Sequence, residues 1–219
     1  MARRYGKRTL ACMLLLSLLF LSGCSVSFTG INGEVYRFGE REEPLSSEDE
    51  AVWAEDVLIR VGETEVTYPE VVFYLLSTKD RYEERFGSRI WKIPYEGKTI
   101  GERAKEDALK ELIEVKIVSG KAREAGYAIG EDESVELARI AEEQLQNISM
   151  TLKSLYLLDE DLLTAVYEDN YLASRFVDTV LAEHPDKEYQ ELLVLWESET
   201  EVEVDEEKIA ALTLDNIGY

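Results

Sequence analysis

The sequence predicts a mainly α-helical fold with a small β ribbon, built by residues 57–219. Between residues 68 and 183, apolar residues recur every three or four positions, which is the spacing of one face of an α-helix. Short β-branched runs lie on both sides of this region, at 57–67 and 200–204. Hydrophobic residues make up 45% of the chain, which is enough for a folded core although 32% of the residues are charged. We therefore expect a domain that begins and ends in β structure and is helical between.

The folded part is expected to begin with a β-hairpin. VLIRV at 57–61 and TEVT at 64–67 flank the pair Gly62-Glu63, and glycine in the first of two loop positions favours a type II′ turn. Earlier in the chain, Asn32-Gly33 predicts a smaller hairpin within residues 28–36, because Asn-Gly favours a type I′ turn.

Two helices are expected to start at T-x-x-E sequences, the pattern of a capping box. In this motif the threonine hydroxyl accepts a hydrogen bond from the backbone three residues on, and the glutamate accepts one from the threonine N–H. Thr67-Tyr68-Pro69-Glu70 predicts a helix over 68–86, and Thr99-Ile100-Gly101-Glu102 predicts a helix to about residue 125. A glycine follows each helix, as is common after a helix C-terminus.

The remaining elements follow in the same way. A third helix is expected from Glu131, loosening between residues 149 and 158. Asp159 is placed to cap a fourth helix, which His184-Pro185 ends because proline disfavours the helical conformation of the residue before it. A short helix over 189–196 and a strand over 200–204 complete the prediction.

The first 23 residues have the order of a secretory signal. Four basic residues and no acid precede an apolar run from Leu10 to Leu21. A helix of this run, rising about 1.5 Å per residue, is too short to cross a bilayer core of roughly 30 Å. We therefore interpret residues 1–23 as an export signal rather than a retained membrane span.

The signal ends in Leu21-Ser22-Gly23-Cys24, which resembles the lipobox of bacterial lipoproteins. The resemblance implies cleavage before Cys24, a diacylglyceryl group on its thiol and further acylation of the new amino terminus. Two or three acyl chains anchor a protein durably where one is marginal. The implied location is the extracytoplasmic face of the cell membrane. An ordinary signal peptide with a chance cysteine is the alternative.

Residues 24–56 are predicted to form an acidic tether. The segment 39–56 holds eight acidic residues and one arginine around a proline and two adjacent serines. Such a composition buries too little apolar surface to order itself, so we expect a spacer that holds residues 57–219 away from the membrane.

Composition excludes several classes of function. The formal net charge of −22 disfavours binding to nucleic acid, because the chain would repel a phosphate backbone. One histidine and two cysteines cannot supply a multi-histidine or four-cysteine metal site. We expect no metal, no cofactor and no catalytic residue.

Three blocks, at 57–71, 97–133 and 196–212, together resemble the SurA/PrsA-type foldases and the related substrate-binding part of trigger factor. In those proteins a strand and a tight glycine turn lead into a helix, and a long helix ends in Ala-x-x-x-Gly, here Ala122 to Gly126. An acidic start then opens the next helix, here residues 131–133. A late strand pairs back on the first hairpin, a place that Glu201 to Asp205 occupies here. The resemblance therefore implies a SurA N-terminal-like helical chaperone domain closed by that strand.

One departure from the family bears on activity. Parvulin-bearing members insert a prolyl isomerase domain of roughly a hundred residues, with active-site histidines, between the helical parts. Here the third and fourth helices are separated by about ten residues, and His184, the single histidine, is expected on a surface turn. We therefore expect a binding protein rather than an enzyme.

Aromatic side chains are the remaining functional signal. On a helical cradle, half-exposed rings can hold the apolar side chains of unfolded clients. The alternative is that most of these rings belong to the core. The candidate client-binding residues are Tyr74, Tyr82, Phe86, Trp91, Tyr95 and Tyr171.

These observations predict a lipid-anchored, ATP-independent chaperone or foldase-like binder of unfolded or secreted polypeptides. Two alternatives remain: an accessory lipoprotein that binds one dedicated partner, and a family member that retains prolyl isomerase activity without the usual domain.

Overall fold

The computed structural model describes residues 28–29, 35–36 and 56–218. The chain divides into two units, residues 1–38 and 39–219. In the first unit, β1 (Phe28–Thr29) pairs with β2 (Val35–Tyr36) in antiparallel fashion, so the predicted small hairpin is confirmed. Its turn at Asn32-Gly33, the export signal 1–23 and Cys24 lie outside the described residues, as does almost all of the tether 24–56.

In the second unit the described residues are mainly helical, with a small antiparallel sheet, as the sequence predicts. The helices are α1 (Tyr68–Phe86), α2 (Ile100–Glu124), α3 (Glu131–Asn147), α4 (Met150–Tyr156), α5 (Glu160–Glu183), α6 (Tyr189–Glu199) and α7 (Glu206–Ala211). The strands are β3 (Val57–Val61), β4 (Thr64–Thr67), β5 (Pro94–Tyr95), β6 (Lys98–Thr99) and β7 (Val202–Val204), and a 3₁₀ helix covers Ser88–Lys92.

The first hairpin and the late strand form one sheet in the order β4-β3-β7. Gly62 has a φ of 57°, while Glu63 is not among the residues with positive φ, as a type II′ turn requires. β7 lies antiparallel to β3, with Ile59 opposite Val204 and Val61 opposite Val202. The predicted closure of the domain by a late strand is therefore confirmed.

The ends of α2 show how local sequence fixes helix bounds. At its start, the Glu102 N–H donates to Thr99 Oγ1 at 3.1 Å and the Thr99 N–H donates to Glu102 Oε2 at 2.6 Å, so this capping box is confirmed. At its end, Gly126 has a φ of 85° and the Tyr127 N–H donates to the Ala122 carbonyl at 2.9 Å. These bonds form a Schellman motif, which is why Ala-x-x-x-Gly stops the helix there.

The T-x-x-E sequence of α1 behaves differently. Thr67 makes no side-chain capping bond. Glu70 turns into the core instead and pairs with Lys116 of α2, Nζ to Oε1, at 2.6 Å. The helix bounds predicted from this motif are right, but its predicted capping bonds are wrong.

The core lies between the sheet and α1, α2 and α5, with α5 also packed against α3. The central stripe of α2 shows the helical spacing that the sequence predicts, and its buried apolar side chains are Ala104, Ala108, Leu112, Ile117, Val118 and Ala122. Within the described residues, none of the helices has an apolar stretch long enough to cross a membrane.

The C-terminal segment is held by lysines that donate to backbone carbonyls. Lys79 of α1, which is 3% exposed, donates through Nζ to the carbonyls of Leu214 and Ile217, both at 2.8 Å. Lys105 of α2 donates to the carbonyls of Ile209 and Leu212 at 3.1 and 2.9 Å. Burial lowers the pKa of both lysines. The segment 209–217 is thus tied to α1 and α2.

Candidate functional site

The predicted client-binding aromatics do not form one surface. Tyr74 and Trp91 are 9% and 3% exposed, so both are core side chains and offer no ring to a client in this conformation. Tyr82 and Tyr171 are half-buried, and Phe86 and Tyr95 are 39% and 46% exposed. A client-binding role for these last four residues stays a prediction.

Three of these aromatics meet at the C-terminal end of α1. The ring of Tyr82 lies 5.6 Å from that of Trp91 and 6.2 Å from that of Phe86, centroid to centroid. Trp91 donates through Nε1 to Glu83 Oε1 at 2.6 Å, which fixes its indole against α1. The cluster is therefore a packed helix end in which Phe86 is partly exposed to solvent.

Tyr95 stands apart, on a hairpin that the sequence analysis missed. β5 and β6 are joined by Glu96 and Gly97, which have φ values of 48° and 85°, as a type I′ turn requires. The guanidinium of Arg103 lies 5.2 Å from the centroid of the Tyr95 ring. A two-residue loop ending in glycine was the signal that could have revealed this hairpin.

Tyr171 joins α5 to the start of α3. Its hydroxyl donates to Glu133 Oε1 at 2.6 Å, and the Gly130 N–H donates to Glu133 Oε2 at 2.8 Å. These bonds lower the pKa of the Glu133 carboxyl, while the same carboxylate raises the pKa of the Tyr171 hydroxyl. Tyr171 thus has a structural hydrogen bond in addition to its exposed ring surface.

A groove of about 460 Å³ lies between α2 and α5. Its apolar lining consists of Val115, Val118, Ala173 and Val177. The charged residues around this lining are four acids and one lysine, Lys110. The acids are Asp107, Glu111, Glu114 and Asp178. The sequence predicts a functional surface of aromatic residues, whereas the lining of this groove is acidic and aliphatic with one tyrosine, Tyr189.

Hydrogen bonds link the groove lining to its neighbours. The hydroxyl of Tyr189 donates to Glu114, which ties α6 to α2. Asn170 donates through Nδ2 to the Tyr74 hydroxyl at 3.0 Å and so connects the groove to α1. Burial raises the pKa of both tyrosine hydroxyls, so both stay protonated at neutral pH.

The helices α1, α2 and α5 share a buried ionic cluster of Glu70, Lys116 and Asp169, which the half-exposed side chain of Arg123 joins from the surface. Lys116 Nζ lies 2.6 Å from Glu70 Oε1 and 2.6 Å from Asp169 Oδ2, and Arg123 bonds to the other oxygen of Asp169. The side chains of Glu70, Lys116 and Asp169 are at most 8% exposed. Two acids and two bases balance, so the cluster joins α1, α2 and α5 without net charge.

Burial and ion pairing shift the pKa values of Glu70 and Lys116 in opposite directions. Burial raises the pKa of the Glu70 carboxyl, although Lys116 acts in the opposite direction. Burial alone would lower the pKa of Lys116, but the two carboxylates outweigh it and the net shift is upward. Lys116 therefore stays charged over the whole physiological range of pH.

This cluster was not predicted from the sequence because its partners lie far apart in the chain; Lys116 and Asp169 are 53 residues apart. One signal was present. Helical spacing places Lys116 on the same stripe as Leu112 and Ser119, both of them buried, and a lysine on a core stripe requires a buried partner.

The described residues supply no cluster of side chains typical of a metal site. Among residues 56–218 no three His, Cys, Asp or Glu side chains are grouped so that they could hold a metal ion. His184 is exposed at the end of α5, as the sequence predicts.

Comparisons with protein-family models, curated proteins and solved structures find no match to this chain. What is established is the class of fold, a mainly helical domain with a small antiparallel sheet. The resemblance to the SurA/PrsA-type foldases depends on the sequence motifs and stays a prediction.

Proposed function

We propose that this protein is a membrane-anchored, extracytoplasmic lipoprotein of the SurA/PrsA type that binds unfolded or secreted polypeptides without ATP. Acyl chains on Cys24 hold it at the membrane, and residues 24–56 act as the spacer. Residues 57–219 bind the client without a prolyl isomerase domain and without catalysis.

The groove between α2 and α5 is the observation that carries this proposal. Non-native chains expose apolar side chains. The groove has an apolar floor, and its volume of about 460 Å³ is enough for a few side chains. Val115 and Val177 keep part of their surface in solvent, so the floor is accessible. Binding without turnover needs such a surface with modest affinity and no chemical group.

The acidic rim favours one kind of client. Four carboxylates and one ammonium group surround the apolar floor. A polypeptide segment in which Lys or Arg flank apolar residues matches both parts of the groove, whereas an acidic segment is repelled. Because the rim is solvent-exposed, binding should weaken as the salt concentration rises.

The buried ionic cluster supports the groove mechanically. Lys116 lies on α2 between the groove residues Val115 and Val118, and Asp169 precedes the groove residue Asn170 on α5. The Lys116–Asp169 pair therefore fixes the separation of the two helices that form the groove walls. A groove held open in this way loses little conformational entropy when a client binds.

Suppression of client aggregation tests the proposal. The double variant Val115→Asn/Val177→Asn removes two of the four apolar side chains of the floor. We expect it to need about thirtyfold more protein for equal protection, since two lost valine contacts of about 1 kcal/mol each sum to about 2 kcal/mol. The matched control, Val135→Asn/Val194→Asn, changes valines that are 68% and 56% exposed outside the groove. Equal protection by both variants would contradict the proposal, provided that thermal unfolding shows both to be folded.

The range of clients separates a chaperone from a dedicated partner protein. A chaperone should protect several unrelated denatured proteins, whereas an accessory lipoprotein should protect few or none. Prolyl isomerisation of a tetrapeptide above the background rate would overturn the non-enzymatic part of the proposal.

The membrane anchor has its own test. Cys24→Ser removes the thiol that would carry the diacylglyceryl group, and we expect the variant to leave the membrane fraction. Cys12→Ser is the matched control, because Cys12 lies inside the signal. Unchanged membrane fractionation of the Cys24→Ser variant would rule out lipidation.

A further inference from the structure

The strand β7 has one unpaired edge among the described strands. In the sheet order β4-β3-β7 it pairs with β3 alone. The Asp205 N–H donates to the Leu58 carbonyl at 2.9 Å, and the Gly62 N–H donates to the Glu201 carbonyl at 2.8 Å. Because the bonding direction alternates along an antiparallel strand, Glu203 also faces β3. The N–H and C=O groups of Val202 and Val204 therefore point away from the sheet.

The two faces of this edge differ in character. Val202 lies opposite Val61 and Val204 opposite Ile59, so both valines extend the buried face of the sheet. Ile59 and Val61 are 1% and 3% exposed, whereas Val202 and Val204 are 37% and 39% exposed. The apolar layer thus reaches the open edge without being covered there. Glu203 lies on the other face, opposite Arg60.

Charge selects the kind of strand that fits this edge. Residues 188–207 contain no lysine or arginine, and Glu201, Glu203 and Asp205 alternate with the two valines. A second copy of β7 would bring like charges together, which disfavours self-pairing. A strand with basic residues on the Glu203 face and apolar residues on the valine face matches both faces.

We propose that the open edge of β7 binds an extended polypeptide segment, in which apolar residues alternate with Lys or Arg, by strand addition. Backbone hydrogen bonds to Val202 and Val204 supply the pairing, and the alternate side chains supply the selectivity. This surface is separate from the groove between α2 and α5, and its test does not require chaperone activity.

Amide hydrogen exchange, measured by NMR on the mature protein, tests the pairing directly. The probe is an end-capped peptide of alternating valine and lysine residues. In the free protein the Val202 and Val204 amides should exchange faster than that of Glu203, and saturating peptide should slow them at least tenfold. A peptide of alternating valine and glutamate, and a Val-Lys peptide N-methylated on alternate residues, are the controls and should leave the exchange unchanged.

Substitutions at residue 204 identify the edge. Val204→Pro removes an outward N–H while the β3-facing groups of Glu203 and Asp205 remain, and proline is tolerated on an edge of this kind. We expect it to weaken Val-Lys peptide binding at this edge, measured by protection of the Val202 amide, about tenfold, or about 1.4 kcal/mol. The matched Val204→Thr keeps the N–H and should bind there within about threefold of the wild type.

Three outcomes would overturn the proposal. The first is equal protection of the Val202 amide by the Val-Lys peptide in Val204→Pro and wild type. The second is no protection of the wild-type Val202 and Val204 amides by the peptide. The third is protection of these amides by protein concentration alone, which would indicate self-pairing. The wild-type measurement stands even if the proline variant fails to fold. The Val-Lys peptide also matches the acidic groove, so the readout for this edge is protection of the β7 amides. In the groove variant Val115→Asn/Val177→Asn the peptide should still protect the Val202 and Val204 amides, so failure of the groove proposal and failure of this one are distinguishable.

Discussion

Two helices of this protein start with the same T-x-x-E sequence, yet their glutamates lie in opposite environments. Glu102 of α2 is exposed and folds back on Thr99, whereas Glu70 of α1 is 6% exposed and pairs with Lys116. The hydrogen bonds from Thr99 lower the pKa of Glu102, and burial raises the pKa of Glu70. The same local pattern thus gives a surface cap in one helix and a buried ion in the other.

The neighbouring residues account for the difference. Thr67 is itself part of β4, and the Tyr68 N–H donates to the Asp56 carbonyl at 2.9 Å. Pro69 has no N–H to be capped. With little left to cap, Glu70 is free to pair with the buried ammonium group of Lys116, which Asp169 also contacts. Tertiary pairing therefore determines where the glutamate of a T-x-x-E motif lies when the helix start has few N–H groups left to cap.

The largest loss of stability is expected on removal of the cation that pairs with Glu70. Lys116→Met leaves Glu70 buried and unpaired, and we expect a loss of about 3–5 kcal/mol in the free energy of unfolding, measured by urea denaturation. Lys110→Met, an exposed change on the same helix, should cost less than about 0.5 kcal/mol. Adding Glu70→Gln to Lys116→Met should restore part of the loss; equal stability of the two lysine variants would contradict this account.

A smaller change in stability, with a distinctive dependence on pH, is expected when either of the two glutamates is replaced. Because folding raises the pKa of Glu70, the folded state binds its proton more tightly, so this group's contribution to stability falls as pH rises from the ordinary glutamate pKa through the raised value. Folding lowers the pKa of Glu102, so its contribution is full above the ordinary pKa and is lost as pH falls through the lowered one.

Stability measured against pH for single Gln variants checks these signs. Glu70→Gln should cost about 1 kcal/mol at neutral pH and remove the fall in stability as pH rises through the raised pKa. Glu102→Gln should instead remove part of the loss of stability in acid. Identical pH profiles for the two variants would show that the glutamates are in equivalent environments, contrary to the structure.

The smallest loss of stability is expected when either of the two threonines is replaced by alanine. Thr99→Ala removes a capping acceptor and should lower the free energy of unfolding by about 1 kcal/mol. Thr67→Ala removes no capping bond and should cost less than about 0.5 kcal/mol. Thermal unfolding of both variants measures the difference, and a larger cost at Thr67 would mean that its hydroxyl caps α1 in solution.

Local signals were sufficient for most of the fold. Periodic apolar residues with caps and glycines gave α1 its bounds of 68–86, and Asp159 caps α5 through its bond to the Leu162 N–H at 2.8 Å. The elements that the sequence analysis missed are short. They include α4, α7 and the β5–β6 hairpin, which hold their shape through contacts with the rest of the domain.

The candidate site was less accessible to sequence reasoning. The aromatic count drew attention to Tyr74 and Trp91, which the structure buries, because an apolar ring stabilises a core as readily as it binds a ligand. The groove depends on which faces α2 and α5 turn toward each other. That geometry follows from pairs such as Lys116–Asp169, which no local pattern encodes.

The lysine ties to the C-terminal segment bear on the order in which the chain can fold. Lys79 donates to carbonyls that lie 135 and 138 residues further along the chain, and β3 pairs with the late strand β7. Such distant partners make loop closure costly before the late residues exist. During synthesis, the first strand and helix of this domain therefore stay incomplete until nearly the whole domain has been made, a period in which their apolar faces need protection themselves.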